Sequence, residues 1–174
     1  MKKSLEKNKT EAQTETLQGE LLDKMDRKIL NILQKGNQIT NIELADKVGL
    51  SPPPCFRRVK RLREQGIIAN DVSLVDPFKV GRGLIVFANI TLEKQREDLL
   101  THFERKMQEQ PEVMQSYFVS GDTDYVLIIH VADMHHYNEF ARRVFANEPN
   151  IKMFRSNFCL NRTKYNTHIQ FSET

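Results

Sequence analysis

Five cationic side chains, Arg57, Arg58, Lys60, Arg61 and Arg63, fall within seven consecutive residues, with one acid, Glu64, beside them. Residues 51–66 carry a net charge of +4, whereas the whole 174-residue chain carries +3. The basic excess is therefore local, and a local basic stripe is the footprint of a polyanion contact. A guanidinium donates two parallel N–H bonds to a phosphate or to the O6/N7 edge of guanine, while an ammonium acts as a point charge. On a helical wheel of about 100° per residue, Cys55, Val59 and Leu62 share one side. Arg57, Lys60 and Arg61 lie opposite, and Arg58 and Arg63 flank the two faces. That division gives Arg57 and Arg61 the base edges, and Arg58, Lys60 and Arg63 the phosphates. For a basic run taken alone, a solvated face on an ordinary helix is the alternative.

Ser51-Pro52-Pro53-Pro54 opens this segment. Proline has no N–H, so a Ser51 N-cap finds no donor at the next positions, and regular helix is expected only from Pro54. The Ser51 hydroxyl is then free for a phosphate and the rigid prolines, Pro52 and Pro54 among them, fix the entry angle; the alternative is simply a stiff helix start.

Two helices must position the basic one. Leu22, Met25, Ile29, Leu30 and Leu33 recur at helical spacing, with Asp23 at the start and Gly36 at the end. Thr40-x-x-Glu43 is a capping box, followed by Leu44, Ala45 and Val48, and Gly49 closes that helix. Ala45, Gly49, Val59 and Leu62 supply the small crossing residue, the turn and the apolar contacts of a helix-turn-helix over about Ile42 to Arg61. Double-stranded DNA is the partner this frame points to.

The pattern changes after Asp76-Pro77 and the glycines Gly81 and Gly83. Residues 84–90 read as a strand, 93–110 as a helix stopped by Pro111, and 112–119 as a strand. Gly121-Asp122-Thr123-Asp124 reads as a turn and 125–131 as a strand. Asp133 caps a helix with Tyr137, Phe140, Ala141 and Val144 inward, and 151–160 is the last strand. The fold class is α+β: a helix-turn-helix domain followed by a βαββαβ ferredoxin-like domain. The expected divisions are a flexible tail over 1–20, a DNA-binding domain over 21–68, an extended linker over 69–83, a sensing and oligomerisation domain over 84–165, and a tail over 166–174.

Other chemistries find little support. No nucleophile–base pattern, phosphate loop or paired-carboxylate motif stands out, so the chain reads as no enzyme. His102, His130, His135, His136 and His168 form no metal spacing, and Cys55 and Cys159 read as packed free thiols. No cofactor and no metal are expected. The N-terminus has no apolar signal-like stretch and no run spans a bilayer, so a cytoplasmic, non-membrane protein is the expectation.

Several stretches together resemble the Lrp/AsnC (feast/famine) family of transcription regulators: Leu22-Asp23-x-x-Asp26-x-x-Ile29-Leu30, Ile42-Glu43-Leu44-Ala45-x-x-Val48-Gly49-Leu50-Ser51-Pro52, Cys55-x-x-Arg58-Val59-x-x-Leu62, Gly66-Ile67-Ile68 and Gly121-Asp122-Thr123-Asp124-Tyr125. The resemblance spans about residues 21–165. It implies a winged helix-turn-helix and a regulatory domain whose sheets pair into homodimers, which assemble further, often to octamers. It also implies an amino-acid or related effector between subunits near Gly121, Asp122, Thr123, Asp124 and Tyr125. Pro53 and Thr123 stand where family members often carry Thr and an aromatic. The function expected is a sequence-specific DNA-binding regulator modulated by an amino acid. The alternative is an architectural, nucleoid-associated protein that ignores ligands.

Overall fold

The computed structural model describes residues 22–36 and 38–172; the tail expected over 1–20 lies outside them. The chain forms two compact units, residues 22–73 together with 165–172, and residues 74–164.

The first unit is built on α1 (Lys24–Leu33), α2 (Asn41–Val48) and α3 (Pro52–Glu64). Local caps set the starts of α1 and α2. Asp23 accepts from the Asp26 N–H and Asp26 returns the bond, a reciprocal capping box. Thr40 and Glu43 do the same at α2. Helix α2 ends at Gly49, φ 77°. There the Leu50 N–H reaches back to the Ala45 carbonyl and the Gly49 N–H to that of Asp46, a Schellman stop that favours glycine. One core joins the three helices through Ile29, Leu30, Leu44, Ala45, Val48, Cys55, Val59 and Leu62.

Two expectations need correction here. Helix α3 begins at Pro52, not Pro54. A proline ring's fixed φ suits a first turn whose N–H groups lack helical partners anyway. The first helical bond is donated by the Cys55 N–H to the Ser51 carbonyl. Residues 166–172, expected as a C-terminal tail, join the first unit. The Asn31 side-chain amide donates to the Phe171 carbonyl at 3.0 Å and accepts from its N–H at 3.2 Å. Gln34 does the same for Ile169, at 2.9 and 2.7 Å. Phe171 packs against the three-helix core.

The second unit runs β1 (Leu84–Leu92), α4 (Glu97–Gln108), β2 (Val113–Phe118), β3 (Tyr125–Val131), α5 (Met134–Val144) and β4 (Ile151–Phe158). The sheet order is β2-β3-β1-β4 with every neighbour antiparallel, the expected βαββαβ arrangement. Helix α4 starts at Glu97 rather than Glu93. Asn150 holds the preceding loop out of helix, bonding the main chain of Lys94 from both ends of its amide. Period-2 alternation sends Val86, Ala88, Ile90, Tyr125, Leu127 and Ile129 to one face, under Phe103 and Met107 of α4 and Tyr137, Phe140 and Val144 of α5. The opposite face carries Phe87, Tyr117, Val126, Ile128 and Met153, by register. Phe87, Tyr117 and Met153 are exposed there. Residues 65–83 contain no strand.

Candidate nucleic-acid interface and effector turn

Helix α3 buries Cys55, Val59 and Leu62 and turns its other side outward. The five cations then separate by their partners. Arg58 reaches α1, with Nη1 2.5 Å from Asp23 and 2.9 Å from Asp26. Arg61 bonds the other Asp26 oxygen through Nη2. Among the described residues its buried Nε has no acceptor. Asp26 itself is 1% exposed, so both arginines lock α3 onto the first turn of α1. Arg63 pairs with Asp71 at 2.9 Å. Lys60 stands 3.6 Å from Glu64, one turn along the same exposed face, a pair of little energetic weight. Among the described residues, Arg57 is the one cation of the five with no acidic partner, and it is exposed.

The wheel therefore needs one revision. Arg57 and Lys60 do face outward, but Arg61 does not stand free beside Arg57. An inter-helix contact with a buried carboxylate captures it, and no single-helix projection contains that contact. Asp26 entered the sequence reading only as part of a family stretch, with no hint that it holds two arginines of α3. Its signal was two acids three residues apart at a helix start, the Asp23-x-x-Asp26 spacing of a capping box.

Electrostatics follow from these contacts. Burial works against ionisation of Asp23, yet the Asp26 N–H and the Arg58 guanidinium hold its carboxyl below the usual range. The Asp23 bond, with Asp26 adding to it, raises the Arg58 guanidinium further. Burial pushes the Cys55 thiol up, against the opposing charge of Arg58. Ser51 is the N-cap of α3 and makes no side-chain cap bond, as the prolines require. Pro52 is exposed and Pro54 half-buried.

The second candidate site is the turn between β2 and β3. Gly121 sits at φ 122°, in the region that favours glycine. Thr123 Oγ1 donates to the Ile90 carbonyl at 2.7 Å. Asp124 accepts from the Leu92 N–H at 2.6 Å and from Gln95 Nε2 at 2.5 Å. Tyr125 is buried, its ring 4.7 Å from Phe103 and 5.1 Å from Phe118, and its hydroxyl donates to Glu104. Burial, with the Glu104 carboxylate adding to it, raises that phenol far above its ordinary value. The expected five-residue site is thus divided. Asp124 and Tyr125 turn inward and Thr123 is tied to β1, whereas Gly121 and Asp122 are exposed. The inward turn of Tyr125 was readable from the alternation that places Leu127, Ile129 and Val131 on the core face.

Among the described residues no cluster of His, Cys, Asp and Glu is arranged to hold a metal, and no helix is long and apolar enough to cross a membrane.

Both halves of the chain have counterparts among known proteins. Residues 22–69 match a winged helix-turn-helix DNA-binding model, and residues 85–169 match the Lrp/AsnC ligand binding domain. An uncharacterized HTH-type transcriptional regulator of Sinorhizobium fredii is 45% identical over 143 residues, covering 82% of this chain and 85% of its own. The crystal structure of an AsnC family transcriptional regulator from Agrobacterium tumefaciens superposes with a TM-score of 0.82 at 38% identity, over 85% of this chain and 96% of that one. A Neisseria meningitidis transcriptional regulator solved with L-Met gives 0.81 at 34% identity, with the same coverages. The basic α3 framed by two capped helices, the βαββαβ sheet and these likenesses agree: this chain belongs to the Lrp/AsnC family of DNA-binding transcriptional regulators.

Proposed function

We propose that the chain reads operator DNA as a homodimer and adjusts its grip when an amino acid binds at the Gly121 turn. The carrying observation is the outward face of α3, where Arg57 is exposed and uncommitted while its neighbours Arg58 and Arg61 brace the helix. Arg57 serves as the base reader, pairing with a guanine edge in the major groove. Lys60, Arg63 and the uncapped Ser51 hydroxyl meet phosphates, with Pro52 and Pro54 stiffening the approach. Arg58 and Arg61 contribute mainly by holding the helix.

A second copy of the chain is the partner for the open sheet face. A solvent-facing sheet surface is ordinarily polar, but this one presents Phe87, Tyr117 and Met153. Octamers are then assemblies of such dimers. The effector is an amino acid, in keeping with the L-Met complex of the Neisseria relative. Asp122 is the carboxylate free to accept from its α-amino group, and the Gly121 backbone lies open beside it. Asp124 and Thr123 hold the turn in place. An effector acts only through a difference in affinity between two arrangements of the dimer, which changes the separation of paired recognition helices. The protein works in the cytoplasm, without a resident cofactor and without catalysis.

Footprinting of the full chain on genomic fragments, with and without a panel of amino acids, tests this reading. Discrete protected sites whose affinity shifts with one class of amino acid are expected. Broad coverage indifferent to every amino acid would instead establish the architectural role.

A further inference from the structure

One side chain on the outward half of α3 has the wrong polarity for a purely electrostatic surface. Phe56 is 51% exposed, and no other aromatic ring lies against it among the described residues. On the helix it stands about 100° from the buried Cys55, between Pro52 one turn before and Lys60 one turn after, with Arg57 next to it. Arg57 and Lys60 share its part of the helix surface and Arg63 lies two turns on, with Lys60 near Glu64 and Arg63 paired to Asp71, so Arg57 is the unpaired charge beside the ring. An occupant suited to this basic helix face is polyanionic and still offers an apolar spot to the ring. A duplex presents one such group in its major groove, the C5-methyl of thymine.

We infer that Phe56 reads a thymine methyl on a base step adjacent to the one Arg57 reads, so that each half-site pairs a guanine contact with a neighbouring thymine. The inference rests on α3 being the DNA-reading helix. It adds an apolar specificity term to a surface otherwise built from charge. Phosphate contacts cannot distinguish thymine from cytosine, whereas a ring packed on the methyl group does. Burying one methyl corresponds to about four-fold in affinity.

The test uses duplexes enriched from a random pool by the full-length wild-type protein. Each dT is replaced in turn by dU, which deletes only the methyl. Fluorescence anisotropy is measured for wild type, Phe56→Ala, Phe56→Leu and Arg57→Ala. Wild type is expected to lose about four-fold at one dU position per half-site. Phe56→Ala is expected to bind the dT duplex about that much more weakly and to ignore the dU replacement. Phe56→Leu retains part of the discrimination. Arg57→Ala binds more weakly but stays sensitive to the same dU. The inference is overturned if no dU position matters to wild type, or if Phe56→Ala keeps the full dU penalty. It is also overturned if Phe56→Ala alters only self-association in sedimentation, which would give the ring to a second copy of the chain. A pool that enriches no duplex removes the DNA reading itself, and this inference with it. Matched melting temperatures of the variants exclude misfolding, and Phe56→Leu keeps an apolar side chain should Phe56→Ala fail to fold.

Discussion

Replacing Asp26 by Asn removes one negative charge and almost no volume, and it acts on two arginines at once. The carboxylate is 1% exposed and accepts from both Arg58 and Arg61. Removing one member of a fully buried ion pair costs about 3–5 kcal/mol. The effect here is smaller, because the Arg58 and Arg61 side chains are 28% and 42% exposed and Arg58 retains Asp23. About 2 kcal/mol remains after that discount. For a unit of this size the loss corresponds to a fall of roughly 8–16 °C in melting temperature. Differential scanning calorimetry of the full chain reads it directly. A second effect runs the other way. Arg61, released from α1 while Arg58 stays with Asp23, becomes available to a phosphate, so the slope of log affinity against log salt steepens by about 1. Asp26→Asn should therefore lower stability and increase non-specific, salt-sensitive binding together. An unmoved melting transition, or an unchanged salt slope, would refute the view that Asp26 reserves these arginines for the fold.

Three other outcomes are expected. Ser51→Ala should weaken operator binding with no change in melting temperature, because the hydroxyl caps nothing; a purely thermal effect in paired titration and melting experiments would remove the phosphate role. Asp124→Ala strands the Leu92 N–H and loosens the Gly121 turn, for about 1–3 kcal/mol in denaturant titration, while sparing operator affinity and abolishing the effector response in footprinting. An unaltered response would free the turn of that duty. Asp23 has a depressed folded pKa, so its contribution is complete above the unfolded value of 3.8 and is lost as pH falls through the folded one. Asp23→Asn should accordingly flatten the acid limb of the stability profile below about pH 4, and an identical limb in circular-dichroism titrations would contradict the assignment.

Much of the architecture was legible because its determinants are local. The Thr40–Glu43 box, the Gly49 stop and the Asp133 cap are decided within four residues, and the structure has each of them. Strand alternation in residues 125–131 is equally self-contained. What sequence reading missed depends on elements far apart in the chain. Arg61 faces outward on any wheel, and only the crossing of α1 over α3 brings it to Asp26. Asp124 looked available in a turn until β1 supplied the Leu92 N–H. Glu93 belongs to a plausible helix start until Asn150, more than fifty residues later, claims the neighbouring main chain. The C-terminal segment had a faint signal in Ile169 and Phe171, two residues apart, but its partners are side-chain amides of a helix, a pairing that no strand rule anticipates.

That last pairing bears on how the molecule can be divided. The chain leaves its DNA-binding unit after residue 73 and comes back to it at residue 165. A fragment cut after residue 73 would strip α1 of Phe171 and of four main-chain bonds, exposing the groove they fill. Its folding would understate that of the intact unit. Probes attached within residues 166–172 would likewise report on the DNA-binding unit, not on the sheet. Probes meant to report on the sheet belong in its own surface loops.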